Sequence, residues 1–196
     1  MSANLARQEY PVIATEHLRL RPFALSDITA LVNTISQHRI ADATLAVPQP
    51  FGARQARHWI ESHARAWQSG GAIHWAVATL ENDRLAGYVG LHDIRTDREQ
   101  ADMSLWIAER TERKDLGIEA AQATLAFAFA DLQVGRVQAH QLAGNPLLAR
   151  NLRRLGMKAE SIARQSLSRW GRSEEGWVWG IDRLEWMRSL QDAATH

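Results

Sequence analysis

The chain has 196 residues, enough for one domain with a buried core, and no cysteine, which excludes a disulfide framework, a thiol nucleophile and a thiolate metal site. Lys plus Arg number 23 against 22 Asp plus Glu, a formal charge of +1, so no whole-molecule field draws it to nucleic acid or to an anionic membrane. Neither a secretory leader nor an apolar run of about 18 residues is present, so the expectation is a single domain over 1–196, with no membrane partner, in the cytoplasm.

His17 to Arg21 alternates polar and apolar residues and stops at Pro22, which predicts a short strand. Ser26 and Asp27 open a helix with Leu31, Val32 and Ile35 on one face. Pro48 and Pro50 break the chain before a second helix, Ala53 to Trp67, with Ala56, Trp59, Ile60, His63 and Trp67 at helical spacing. Strands Ile73 to Leu80 and Leu85 to His92 flank the polar turn Glu81 to Arg84 as a hairpin, and a third strand follows at Ala101 to Ala108. Gly117 to Leu132 is a long helix whose core-facing stripe is Ala121, Leu125, Ala128, Phe129 and Leu132. Then come a strand at Arg136 to Gln141, a helix at Pro146 to Leu155 stopped by Gly156, and closing strands at Met157 to Arg169 and Gly176 to Leu184. These elements predict an α+β fold: a mixed, mostly antiparallel sheet of six to seven strands with helices on both faces.

Within this order, Ser104 to Ala120 reads as strand, charged loop and helix. A helix start presents unpaired N–H groups and a positive dipole end, the layout of an anion cradle, with Leu116 at the end of the loop and Gly117 and Ile118 at the start of the helix as candidates. Asp115 works against it, standing where glycine would let an anion come closest, while Arg113 and Lys114 supply positive charge beside it. Asn145 before Pro146 is placed to cap a helix. Arg150, Arg153 and Arg154 on that helix are candidates for a phosphate, or simply solvated charges near a helix C-terminus. No His, Asp or Glu spacing such as His-Glu-x-x-His calls for a metal, and none is expected. Most of the eight tryptophans are expected in the core or in pocket walls.

Several segments, in order and at matching spacing, resemble the RimJ/RimL-like branch of the GNAT N-acetyltransferases: Thr15 to Pro22 with Ser26 and Asp27; Gly87 to Ile94; Leu105, Trp106 and Ile107; Glu119 and Ala120 with Leu125, Ala128 and Phe129; Gly144 to Pro146 with Leu152 to Gly156; Trp170 to Arg172; and Glu185 with Trp186. The resemblance implies one GNAT-like domain that uses acetyl-CoA as cosubstrate. It places the pantetheine arm against the main chain of Leu105, Trp106 and Ile107, the pyrophosphate on residues 112–117, and Asn145 within reach of the pantetheine. The implied acceptor is an amine: a protein N-terminus, a small amine or an antibiotic. A homodimer stays open.

Two departures qualify these implications. The family loop reads Gln/Arg-x-x-Gly-x-Gly/Ala, whereas here Glu112, Arg113, Lys114, Asp115, Leu116 and Gly117 share only the last small residue. The places for a proton donor, three and seven residues after Asn145, hold Leu148 and Leu152. A thiol of pKa about 8.5 leaves readily, so little acid help is needed. His140, five residues before Asn145, is the candidate base, because imidazole titrates in the useful range and some members of the superfamily place a base there. A hydrogen-bonded sheet histidine is the plainer account of the same residue. Ser168 is a reserve donor. The competing function is a non-catalytic acyl-CoA-binding or protein-interaction module on the same fold.

Overall fold

The structure is a computed structural model that describes residues 9–35, 51–95, 99–108, 115–142, 145–169 and 172–194, leaving aside the side chains at 163–169, 172–174 and 192–194. Eight strands form one sheet: β1 (Ile13–Ala14), β2 (Leu18–Arg21), β3 (Ile73–Thr79), β4 (Leu85–Arg95), β5 (Gln100–Ile107), β6 (Arg136–Leu142), β7 (Lys158–Arg169) and β8 (Arg172–Asp182). Their order across the sheet is β1-β2-β3-β4-β5-β6-β8-β7. Neighbours are antiparallel except β5 and β6, which run parallel because the helix between them carries the chain back across the sheet.

Five α-helices lie among the described residues: α1 (Ile28–Ile35), α2 (Ala53–Gln68), α3 (Leu116–Ala130), α4 (Pro146–Arg154) and α5 (Arg183–Ala194). Side-chain alternation along the strands gives the sheet two apolar faces. One takes α3, with Trp75, Val77, Val89, Leu91, Met103 and Leu125 in its core. The other takes α1 and α2, with Phe23, Leu31, Ile35, Ala56, Ile60, Tyr88 and Trp106. Burial of α3 extends well beyond the predicted stripe, to Leu116, Gly117, Ile118, Ala120 and Thr124, while Gln122, Ala126 and Ala130 stay exposed.

Two polar contacts fix the entrance to the fold. Arg21 bonds Asp27 through two parallel N–H···O contacts of 2.8 and 3.0 Å, and Asp27 also accepts the Ala24 N–H at 2.8 Å. Glu119 of α3 accepts from the Thr15 hydroxyl at 2.5 Å and from the His17 N–H at 2.8 Å, which ties the β1–β2 turn to the long helix. Gly156 ends α4 at φ 81°, a left-handed conformation that favours glycine.

The sheet has one strand more than expected, because β1 is only two residues long and leaves no periodic trace. The long helix starts one residue early, at Leu116, and ends at Ala130, so Leu132 lies beyond it. The closing strand spans Arg172–Asp182 rather than Gly176 to Leu184, and the chain then turns into α5, which the sequence reading missed. Leu184, Glu185, Met187 and Leu190 are good helix formers, so that signal was available. Trp186 anchors α5, buried 6.3 Å from the Phe129 ring.

Candidate active site

Strands β5 and β6 pair only at Gln100 to Met103 with Arg136 to Ala139. Beyond this point the two part. Ser104 to Ile107 stay bonded to β4, and His140 to Leu142 stay bonded to β8. One edge of β5 therefore faces a wedge in mid-sheet, with main-chain groups that require partners. An extended ligand arm is suited to supply them, as an added strand does. Leu105, Trp106 and Ile107 line this edge, with Trp106 buried and the other two half-buried.

On the face covered by α1 and α2, polar side chains gather around the apex of the wedge. His140 Nε2 lies 3.2 Å from Asp102 Oδ2, which fixes Nε2 as the donor and leaves the lone pair on Nδ1. That Nδ1 is buried and has no hydrogen-bond partner among the described residues. Burial alone would raise the Asp102 carboxyl, but the hydrogen bond and charge of His140, with the charge of His92, hold it below its ordinary value. Ser104 Oγ is 3.2 Å from the Tyr88 hydroxyl, which is 2.9 Å from His74 Nδ1. His63 stacks on His74 at 4.3 Å between ring centres. Burial, with the neighbouring imidazole, pushes His63 down to about 3; burial, with the charge of His92, pushes His74 down to about 4. Burial raises Tyr88 to about 12. All three are neutral at pH 7.

The long helix begins at the far end of the wedge. Asp115 is its N-cap residue, but its carboxylate bonds no helix N–H; Oδ1 accepts instead from Arg154 Nη1 at 2.6 Å. Leu116, Gly117 and Ile118 form a buried first turn. Glu112, Arg113 and Lys114 lie outside the described residues. Asn145 caps α4, its Oδ1 accepting the Leu148 N–H at 3.1 Å. Arg150 is exposed, and Arg153 lies over the Trp179 ring at 5.1 Å. Leu152 is fully buried and Leu148 packs on the core, so both leucines at the donor places serve packing. Ser168 pairs with Ser173 on the edge strand β7, beyond Gly176, where β8 stops pairing with β6.

Sequence reasoning singled out His140 but not Asp102, Ser104 or Tyr88. Period-two spacing places Asp102, Ser104 and Trp106 on one strand face, yet no local pattern joins Tyr88 to residues 14 and 16 positions away. Among the described residues, His92, Asp93 and Asp102 are the group whose ligand atoms come close enough to hold a metal ion, all within 4.8 Å of one another. No described helix is long and apolar enough to cross a membrane.

The sequence profile of the acetyltransferase (GNAT) domain matches residues 17–158. The uncharacterised N-acetyltransferase YoaA of Bacillus subtilis is 22% identical over 156 residues, 80% of this chain and 88% of that protein. The ribosomal-protein-S5-alanine acetyltransferase of Vibrio fischeri has the same fold, with TM-score 0.77 and 18% identity over 90% of this chain and 98% of that one. Mycobacterium smegmatis RimJ, solved with CoA-disulfide, superposes with TM-score 0.78 and 13% identity over 92% of this chain and 95% of that one.

Proposed function

The chain belongs to the acetyltransferase (GNAT) domain family, and on that premise we propose that it transfers the acetyl group of acetyl-CoA to an amine by direct attack. The observation that carries this reading is the wedge between β5 and β6, with one-sided main chain at Leu105 to Ile107 and a histidine–aspartate pair at its apex. The RimJ structure with CoA-disulfide supports a coenzyme A ligand for this fold. A protein N-terminus or a small amine is the acceptor class, the first favoured by the ribosomal-protein acetyltransferase among the structural relatives.

In this reading β5 supplies main-chain partners to the pantetheine arm, and the α3 N-terminus with Gly117 and Ile118 takes the pyrophosphate, together with Arg113 and Lys114. Asn145 and Arg150 are further candidate contacts to the same ligand. His140 Nδ1 takes the proton the amine gives up as its lone pair attacks the acetyl carbonyl, the C–N bond forms and the C–S bond breaks. Asp102 holds the ring in the tautomer that makes this possible. The thiolate leaves without a strong acid, consistent with leucine at 148 and 152. The absence of cysteine fits a reducing compartment, and the cytoplasm is the location this reading assigns.

A thermal-shift titration tests the first half: acetyl-CoA at about 100 times its dissociation constant adds roughly 2.7 kcal/mol of stability. No shift at millimolar acetyl-CoA rejects the reading. Thiol release with a panel of amines tests the second half. Leu148 and Leu152 favour a second reading, a non-catalytic acyl-CoA-binding module, and binding without thiol release with any amine would select it.

A further inference from the structure

Met103 and Ala139 are the last paired residues of β5 and β6, so the next residues on the two arms of the wedge are Ser104 and His140. Both stand on the α1–α2 face: Ser104 bonds Tyr88 of that core, and His140 bonds Asp102, two residues before Ser104. A small group at the apex therefore has a hydroxyl on one side and an imidazole on the other. The Ser104 hydroxyl is tied inward. Gly90 lies in register between His74 and Ser104, and a Cβ there would run into the Tyr88 hydroxyl. The missing side chain thus makes the space in which Tyr88 Oη reaches His74 Nδ1 on one side and Ser104 Oγ on the other. His63 stacks on His74 at 4.3 Å between ring centres, and Trp106 stacks on Tyr88 at 5.9 Å.

We propose that Ser104 binds the acceptor nitrogen and aims it across the wedge toward His140, and that Tyr88 and His74 are positioning residues that set the direction of the Ser104 hydroxyl. The inference rests on the acetyl-transfer reading. A serine hydroxyl has one proton and two lone pairs and turns freely unless something fixes it. With the His74 proton assigned to Nε2, Nδ1 accepts from Tyr88, and Tyr88, its only proton spent, accepts from Ser104. The Ser104 lone pairs are then left to the wedge, where they accept an N–H of the neutral amine and point the nitrogen lone pair at the thioester carbonyl. The proton lost on bond formation goes to His140 Nδ1, so Ser104 orients and does not titrate.

The test uses the full chain, acetyl-CoA and two probes, the tripeptide amide Ala-Ala-Ala-NH2 and n-propylamine, with thiol release as readout and acetyl-CoA affinity followed by thermal shift. Ser104→Ala is expected to lower kcat/KM for the better probe by about three- to tenfold, as for loss of one hydrogen bond, with acetyl-CoA affinity unchanged. Ser104→Thr keeps the hydroxyl and restores most of the rate. Tyr88→Phe is expected to produce a similar loss in the native background and none on top of Ser104→Ala. An unchanged kcat/KM in Ser104→Ala overturns the inference. So does a Tyr88→Phe loss of equal size in both backgrounds, which marks a packing role alone. Failure of the acetyl-transfer reading is distinct: the unmutated chain then shows no stabilisation by acetyl-CoA, or binds it and releases no thiol with these probes or with any other amine of the panel.

Discussion

Arg154 Nη1 lies 2.6 Å from Asp115 Oδ1, so the last turn of α4 is ion-paired to the residue that precedes the first turn of α3. Both side chains are about half exposed or more, at 49% and 69%, and such pairs contribute roughly 0–1 kcal/mol. The pair therefore adds little to stability, and the Asp115 carboxylate stands at the positive end of a helix dipole, where it engages a guanidinium.

Asp115→Gly and Asp115→Asn are both expected to tighten acetyl-CoA binding while shifting stability by less than about 1 kcal/mol. At φ −103° the position does not demand glycine, so either side chain fits. Calorimetric titration of each variant is the measurement, and unchanged or weaker affinity would show that the carboxylate does not oppose the phosphates.

His140→Ala is expected to lower kcat/KM by about 10²- to 10⁴-fold and to change the shape of the pH–rate profile, since a base is removed. Asp102→Asn leaves the ring in place but removes the carboxylate that holds Nε2 as a donor, so a smaller loss in the same direction is expected. If the profile of His140→Ala matches that of the native chain, the base lies elsewhere.

Glu119→Gln weakens the tie between α3 and the β1–β2 turn. Burial raises this carboxyl, but hydrogen bonds from Thr15 and from the main chain and ring of His17 outweigh it and hold it below its ordinary value. A depressed carboxyl contributes stability above the unfolded value of about 4.3 and loses it as pH falls through the lower folded value. Urea unfolding from pH 6 to 3 is expected to show a smaller acid loss in Glu119→Gln than in the native chain.

His63 and His74 act with the same sign for a different reason. Their folded values, about 3 and about 4, lie below the unfolded value of about 6.5, so the unfolded chain takes up protons first as pH falls. Their contribution is complete above about 6.5 and declines below it, by up to about 1.4 kcal/mol per pH unit for each histidine. His63→Phe, which keeps a ring in contact with Trp59 and Phe23, should flatten the slope of unfolding free energy between pH 6 and 4.5; an unaltered slope would assign the acid loss to other groups.

The order of elements was legible because it rests on local rules. Alternation marked β2, the polar turn Glu81 to Arg84 marked the β3–β4 hairpin, the i, i+4, i+7 stripe marked α3, and the Asn145–Pro146 start with the Gly156 stop bounded α4 to within a residue. Where no periodic signal existed, as in the two residues of β1, or where a strand reading ran on past its end, as at Arg183, the elements were missed or misplaced. The same divide runs through the site. The family resemblance singled out His140 and Leu105 to Ile107 as candidates, whereas Asp102, Ser104 and Tyr88 join them only through strand register.

By itself the sequence determined the α+β layering, the two apolar sheet faces, the strand–loop–helix join before Gly117 and the leucines at 148 and 152, since each depends on residue type and short-range spacing. Only the tertiary structure decided where β5 and β6 part, that Asp102 takes the Nε2 side of His140, that Arg154 takes Asp115, and that the Tyr88 hydroxyl fills the space above Gly90 to join His74 to Ser104. These contacts join residues 14 to 39 positions apart through strand register and helix packing. Register depends on the whole sheet, so no local pattern in the chain encodes it.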